Sequence, residues 1–176
     1  MRYSFEERKP SVGKGSYISE TALVIGDVRI GDNCYVGHGA ILRGDYGTIV
    51  IGAGTAVEEA VCVHAAPDAV CTIGEMVTLG HGAIIHCLRI APYAVIGMGA
   101  VLGMGAEIGE WAIVAEGGIV KQGQQVAPRT VVGGNPARVL RELTARDEKW
   151  WLAGKRLYGD LAQRYLKAGL IPIPED

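Results

Sequence analysis

A six-residue spacing of aliphatic side chains runs through most of the sequence and limits what the chain can fold into. The recurring large aliphatic positions are Val12, Ile18, Val24, Ile30, Val36, Leu42, Ile51, Val57, Val63, Ile73, Leu79 and Ile85, and after a one-residue slip Ile90, Ile96, Leu102, Ile108, Val114, Val120, Val126 and Val132. A second inward position in each hexad is predicted two residues earlier, where the residue is usually small or aliphatic, as at Ala22, Val28, Cys34, Ala40, Leu88, Ala94, Ala100, Ala106, Ala112 and Gly118. Apolar residues spaced by two and four do not match the three-and-four spacing of an α-helix. Each hexad therefore predicts a short strand followed by a turn.

Three such strands per coil predict a closed, repetitive architecture. Strands that each contribute one large aliphatic side chain form a triangular prism, whose coils stack about 4.8 Å apart through parallel backbone pairing. A sandwich of antiparallel strands would instead show turn signals every 8 to 12 residues or so. The 26 glycines and the single Phe fit a fold of many tight turns around a narrow interior. We therefore expect an all-β parallel β-helix over residues 1–136.

The six-residue period does not continue into residues 137–176. Thr144 followed by Asp147 resembles a helix capping box, with Asp in place of Glu or Gln. The apolar residues that then fall broadly on one helical face are Trp151, Tyr158, Leu161, Ala162, Tyr165 and Leu166. The sequence thus predicts a C-terminal α-helix that packs on the prism and ends near Gly169 and Pro172.

Charge and hydropathy patterning exclude several classes of partner. The net charge is −2 and the Lys and Arg residues are scattered over most of the chain, so no nucleic-acid partner is expected. The N-terminal residues are charged and no apolar run approaches the roughly 18 residues of a membrane span, so we expect a cytoplasmic protein without a membrane partner. Four cysteines form no CxxC pair and are expected to be reduced.

Counting hexads predicts which faces of the prism carry the histidines. We call the faces A, B and C, after the successive inward residues Ile51, Val57 and Val63. An inserted loop is expected at residues 65–70, after which the inward residues return to the faces in the same order. His64 and His86 each follow an inward residue of face C, so they are expected to stack one coil apart. With a second loop between Leu42 and Ile51, Arg43 takes the same position one coil earlier.

His81 lies on a different face in this count. It is two residues beyond the inward position of face B, around a corner from Arg43, His64 and His86, so one chain is not expected to complete a site from the three histidines. Three neutral imidazoles with one open position form the ligand set of a catalytic zinc site. Packing around a threefold axis would bring His81 of one subunit to His64 and His86 of the next. The fourth histidine, His38, is expected to be a surface or interface residue.

Four segments carry a resemblance to a known family. They are GDVRIGDNCYVGHGAILRGD (26–45), VCVH (61–64), LGHGAIIH (79–86) and GGNPARVLREL (133–143). They resemble the γ-class carbonic anhydrases and their close relatives among the hexapeptide-repeat proteins, over nearly the whole chain. The resemblance implies a left-handed parallel β-helix, a homotrimer, and a metal at each subunit interface held by His64, His81 and His86. It implies Zn²⁺, with Fe²⁺ or Co²⁺ as alternatives, and hydration of the small molecule CO2 to bicarbonate.

Further residues are singled out by the same resemblance. Arg43 and Asp45 match residues that organise the interface and the water network, and Arg43 could bridge subunits by pairing with Glu59. Tyr158 matches a tyrosine that approaches the pocket from the C-terminal helix. Glu58 replaces a Gln that hydrogen-bonds solvent at the metal, and an ionised carboxylate there can accept hydrogen bonds but not donate them. Glu58 could therefore act as a general base or as a metal ligand.

One departure from the family leaves other functions open. The archaeal enzyme of this family carries acidic proton-shuttle residues at two positions. In this sequence the first position is Tyr46, and the second falls in a short loop whose only acidic residue is Asp68. These replacements predict slow CO2 hydration. The open alternatives are metal-dependent hydrolysis of a thioester or other acyl compound, acyl transfer from acyl-CoA, and a non-catalytic trimeric scaffold.

Overall fold

The computed structural model describes residues 1–173 as a left-handed parallel β-helix of about seven coils followed by one helix, which is the expected fold. The strands are β1 (Arg2–Tyr3), β2 (Ser11–Val12), β3 (Tyr17–Ile18), β4 (Leu23–Ile30), β5 (Tyr35–Val36), β6 (Ile41–Ile51), β7 (Ala56–Val57), β8 (Cys62–His64), β9 (Val70–Ile73), β10 (Thr78–Leu79), β11 (Ile84–Ile85), β12 (Arg89–Ile90), β13 (Val95–Ile96), β14 (Val101–Leu102), β15 (Glu107–Ile108), β16 (Ile113–Val114), β17 (Ile119–Val120), β18 (Gln125–Val126), β19 (Thr130–Gly133) and β20 (Arg138–Glu142), and the helix is α1 (Ala145–Ala168). In the described part of the chain, no helix is long and apolar enough to cross a membrane.

The interior of the prism is filled by the aliphatic residues that the period predicts. All of those from Val24 to Val132 belong to one continuous buried core, and the two earlier ones pack against it partly buried. The second inward position of the hexad was predicted wrongly at Leu88, which is 44% exposed, whereas its neighbour Cys87 is buried. The step from the inward side chain of Ile85 to that of Ile90 is five residues instead of six, and in this shortened turn Cys87 takes the inward position.

The connection between faces C and A was also predicted wrongly. A loop was expected between Leu42 and Ile51, but β6 is a continuous strand that pairs with β4 along both faces. Gly26 allows this course, because it has a φ of 76° and a Cβ there would lie 2.3 Å from the carbonyl oxygen of Gly44. The strands therefore bend around the edge of the prism. The other expected loop is present at residues 65–69, and Val70 already belongs to β9.

The three faces differ in what they present outwards. On face A the outward residues are mostly polar, namely Arg29, Val50, Thr72, Arg89, Glu107 and Gln125. Face B is covered by α1. On face C the outward residues form a ladder that we call the face C apolar column, consisting of Ile41, Cys62, Ile84, Val101 and Ile119. Two of its members, Ile41 and Ile84, are exposed.

The helix begins and ends where the sequence predicts. Thr144 accepts from the backbone of Asp147 and Asp147 accepts from the backbone of Thr144, so the capping box is present, and Gly169 follows the last helical residue. Tyr165 stacks on Tyr17 with ring centroids 4.6 Å apart. Leu166 was predicted to pack but is exposed, because the sheet of face B ends at β3 and offers no further strand to cover it.

The segment expected to be helical also contains a strand. After Pro136 the chain turns back and adds β20 to β19, the one antiparallel pair among the named strands of the described chain. The six-residue pattern carries no signal for this return. Residues 174–176 of the predicted segment lie outside the described residues.

Candidate metal centre

The column of Arg43, His64 and His86 predicted from hexad counting is present on face C. Arg43 pairs in register with His64 of the next coil. Val63 pairs with Ile85 of the coil after that, so His64 and His86, which follow them, occupy the same position. The two imidazole rings stack with centroids 4.9 Å apart and planes 28° apart. His86 Nε2 lies 3.1 Å from His64 Nδ1. Regular coil stacking thus gives a close pair of imidazoles.

His64 carries an unsatisfied atom in this column. Its Nε2 is buried and has no hydrogen-bond partner, with the nearest carboxylate oxygen, on Asp45, 3.6 Å away. Burial, followed by the charges of Arg43 and His86, lowers the pKa of His64. A neutral imidazole is the form that binds metal ions.

Arg43 and Asp45 form an ion pair beside His64. Arg43 Nη1 donates to Asp45 Oδ2 over 2.7 Å. Burial opposes the charge of Asp45, but this hydrogen bond and that from the backbone of Tyr46 hold the pKa of Asp45 below its usual value. The pair therefore keeps a carboxylate within reach of His64.

His81 belongs to a second group of side chains, which we call the Glu58 cluster and which comprises Glu58, Glu59, His81 and Tyr158. His81 Nε2 lies 3.1 Å from Glu58 Oε2, and His81 Nδ1 lies 2.8 Å from Glu59 Oε2. The Tyr158 hydroxyl, carried by α1, lies 3.4 Å from His81 Nε2. Within residues 1–173 of a single chain, no three or more His, Cys, Asp or Glu side chains form a group that could hold a metal ion.

The two carboxylates of this cluster have different environments. Glu58 is 5% exposed, and burial raises its pKa, partly offset by His81 and Tyr158. Its Oε2 accepts from the backbone N–H of His81 over 3.1 Å. Glu59 is half-buried and accepts from the Tyr35 hydroxyl over 2.6 Å. Burial opposes the charge of Glu59, but the Tyr35 hydrogen bond keeps its pKa below the usual value.

The pairing of Arg43 with Glu59 was predicted between subunits. Within one chain Arg43 pairs with Asp45, and Glu59 contacts Tyr35 and His81. The intersubunit pairing therefore stays a prediction.

His38 was expected at the surface or an interface. It is half-buried, with Nδ1 2.6 Å from Ser19 Oγ and Nε2 3.4 Å from the Tyr165 hydroxyl. Both contacts lie within the chain: the first joins two neighbouring coils, and the second joins a coil to α1.

Sequence reasoning missed Tyr35 and Lys155. Tyr35 is a buried outward residue of face B. Lys155 is 3% exposed, and its Nζ donates to Thr78 Oγ1 over 3.1 Å and to the Ala94 carbonyl over 3.3 Å. Lys155 lies four residues after Trp151, within the apolar face of α1, and this position could have predicted that it is buried.

The histidine column fits a transition-metal ion in donor chemistry. Two imidazoles that are in contact, one of them with a buried and unpartnered Nε2, are donors suited to Zn²⁺, Co²⁺ or Fe²⁺. Because His81 is in the Glu58 cluster, a third histidine would have to come from another chain.

Comparison with known proteins finds similarity along almost the whole chain. A family model described as bacterial transferase hexapeptide (six repeats) matches residues 9–44. The carnitine operon protein CaiE of Salmonella newport is 38% identical over 162 residues, which cover 92% of this chain and 82% of CaiE. A Bacillus cereus protein named as a candidate acetyltransferase has a solved structure with a TM-score of 0.91 and 34% identity, covering 94% of this chain and 96% of that one. A hexapeptide transferase family protein from Anaplasma phagocytophilum has a TM-score of 0.78 and 29% identity, covering 93% and 97%.

Proposed function

This chain belongs to the family of hexapeptide-repeat proteins that includes the carnitine operon protein CaiE, and we propose that it is a metal-dependent enzyme that adds water to a carbonyl carbon. The simplest reaction of this kind is the hydration of CO2 to bicarbonate. The main support is the contact between His64 and His86, with an imidazole nitrogen buried and unpartnered beside them. A buried polar atom without a partner is costly unless something binds it.

The site is completed between chains in this proposal. His81 is 45% exposed in its side chain, so a neighbouring subunit can reach it, and binding a metal ion would replace one of its contacts with Glu58 or Glu59. The face C apolar column runs beside His64 and His86 and leaves Ile41 and Ile84 exposed, as a surface for a second copy would. A homotrimer in which His81 meets the neighbour's two histidines would assemble three donors at each interface.

The bound ion would supply Lewis-acid chemistry, lowering the pKa of a water molecule towards about 7. Asp45, fixed by Arg43, would accept a hydrogen bond from the attacking water. In the hydration, the water oxygen would bond to the carbon of CO2, the electron pair of one C=O π bond would move to its oxygen, and one water proton would leave. Glu58 would accept that proton, and a hydrogen bond from the Tyr158 hydroxyl would help to orient the Glu58 carboxylate.

Metal content tests the ligand set. In protein purified without oxygen, the variants His64→Ala, His81→Ala and His86→Ala should each lose most of the bound Zn²⁺, Fe²⁺ or Co²⁺ while keeping the fold, because the prism core is aliphatic. His38→Ala is the matched control and should keep the metal. Unchanged metal in any of the three variants removes that residue from the ligand set.

A CO2 hydration assay tests the reaction. Metal-loaded protein should accelerate proton release from CO2 in a stopped-flow indicator assay, and the His86→Ala variant should not. Fully metal-loaded protein without acceleration would contradict the hydration reaction.

Acyl transfer is the second candidate, and the names of two matches favour it, the transferase family model and the Bacillus cereus protein. Calorimetric titration with acetyl-CoA tests it. Tight acetyl-CoA binding by metal-free protein, with acetyl transfer to an amine, would favour this candidate over the hydration reaction. A metal-loaded trimer active in neither assay would point to a scaffold.

A further inference from the structure

A cavity of about 300 Å³ lies between α1 and face B, next to the Glu58 cluster. Its walls are the side chains of Trp150, Trp151 and Leu157, and its polar end contains Glu58 and Tyr158. We propose that this cavity binds the apolar acyl group of the substrate, so that the preferred substrates are uncharged esters or thioesters of medium-sized carboxylic acids. The proposed reaction rests on the proposed function, whereas acyl binding in the cavity does not.

The apolar end of the cavity is a notch in one face of the helix. Trp150 and Leu157 are two turns apart on the same side of α1 and are 65% and 68% exposed. Ala153 and Gly154 lie between them and leave the gap. A Cβ added at Gly154 would meet a single neighbouring atom, on the Trp151 ring, at 3.9 Å. Large apolar side chains that flank an open gap are typical of ligand sites.

The polar end of the cavity selects the charge of the ligand. Glu58 provides a buried carboxylate there, and the lining contains neither Arg nor Lys. Lys155 is close, but its Nζ is bound to Thr78 and Ala94. An anionic ligand would therefore be repelled, and an uncharged acyl derivative is favoured.

The polar end also links the cavity to the proposed reaction. Glu58 Oε2 is 3.1 Å from His81 Nε2, so an acyl group whose tail lies between Trp150 and Leu157 has its carbonyl near a proposed metal ligand. In the hydrolysis, the water oxygen bonds to the carbonyl carbon and the bond from that carbon to sulfur or ester oxygen breaks. One water proton leaves with the thiol or alcohol, and the other remains with the carboxylic acid. The volume is at the lower end of the range for ligand pockets, about 300–1,000 Å³, which matches a medium-sized acyl group.

Binding of neutral amides to metal-free protein tests the cavity without any enzymatic activity. Because Trp150 and Trp151 line the cavity, titration of acetamide and hexanamide can be followed by tryptophan fluorescence. Each methylene buried contributes up to about a fourfold gain in affinity, so hexanamide should bind at least tenfold more tightly than acetamide. Equal affinities would overturn the proposal.

Two leucine substitutions in α1 provide a matched pair. Gly154→Leu places a side chain in the cavity and should remove the preference for hexanamide. Gly159→Leu adds the same side chain to the same helix, at a position that does not line the cavity and where a Cβ meets no atom within 4 Å. This variant should keep the preference for hexanamide. Equal behaviour of the two variants would overturn the proposal. If Gly154→Leu does not fold, Leu157→Ala should weaken hexanamide binding and leave acetamide binding unchanged, and no weakening would overturn it.

Hydrolysis by metal-loaded protein separates this proposal from the proposed function. The kcat/KM for 4-nitrophenyl hexanoate should exceed that for 4-nitrophenyl acetate, and Gly154→Leu should abolish the difference. If neither ester is hydrolysed but hexanamide binding shows the expected pattern, the cavity binds acyl groups and the ester hydrolysis is wrong, while the CO2 assay decides the proposed function. If the acetate ester is hydrolysed without any chain-length preference in binding or rate, the acyl site is wrong and the proposed reaction stands.

Discussion

Lys155 places an ammonium group in one of the most buried positions of α1. Its Nζ has two neutral acceptors, on Thr78 and Ala94, and Glu58 is the charged group that faces it. Burial lowers the pKa of Lys155 to about 7. The unfolded chain keeps this proton to about pH 10, so unfolding takes up a proton between these pH values.

The free energy of unfolding should therefore rise with pH from about 7 to 8, by up to about 1.4 kcal/mol from this group. The Lys155→Met variant has no titrating group at this position, so its free energy of unfolding should rise less between the two pH values, by the contribution of Lys155. Urea unfolding of both proteins at the two pH values measures the difference. The same pH dependence in both would show that Lys155 is protonated in the folded chain across this range.

Glu58→Gln tests the proposed proton acceptor. The amide cannot take a proton from water, so ester hydrolysis should fall by about 10²- to 10⁴-fold with metal content unchanged. Glu75→Gln, at an exposed position, should have no effect. If CO2 hydration rises in the Glu58 variant, Glu58 suppresses that reaction and does not serve it.

The location of an individual side chain on the prism could be predicted where the regular coil repeat determines it. Arg43, His64 and His86 were placed correctly because parallel stacking repeats the same position in each coil. Leu88 was not, since a five-residue step can turn either neighbouring side chain inwards. Lys155 was missed because the hexads carry no information on how a helix docks on their outer surface.

At the level of elements, the helix could be predicted better than the strand next to it. The ends of α1 follow from local rules, the capping box at Thr144 and the glycine at position 169. The extended course of β6 depends on Gly26 and Gly44, which lie on different strands and meet only when the coils stack. Contacts of this kind cannot be seen in a local pattern.

Thr144→Ala should lower the free energy of unfolding by about 1 kcal/mol, because the backbone N–H of Asp147 loses its acceptor. Thr144→Ser keeps the hydroxyl and is the matched control. Chemical denaturation of the three proteins measures the effect, and equal losses for Ala and Ser would assign it to packing.

The whole molecule has one polar face, one face covered by its own helix and one face with an apolar column. In the proposed homotrimer the face C apolar column is buried between subunits. Face A, with Arg29, Arg89 and Glu107 outward, has the character of a solvent surface.

Ile84→Arg should convert the trimer to monomers, because a charge placed in an apolar interface loses its hydration. Metal content should fall with it, since His81 is no longer brought to the neighbour's histidines. Thr72→Arg makes the same change on face A, where Thr72 is exposed, and should keep both trimer and metal. Sedimentation velocity and elemental analysis measure the outcomes. Wild-type sedimentation of the Ile84 variant would place the interface elsewhere.

The return of α1 to the first coils has a consequence for the nascent chain. The helix packs on β3, β5 and β7, and Gln163 donates to the Gly15 carbonyl over 2.9 Å. Solenoid coils can form one after another, each pairing with the coil before it, but Tyr35 is covered only when Tyr158 and Tyr165 of α1 have been made, about 125 residues later. At translation rates of about 5–20 residues per second, this aromatic patch stays exposed for roughly 6 to 25 s. The first coils are thus the part of the β-helix that waits longest to be covered and that chaperones have most time to recognise.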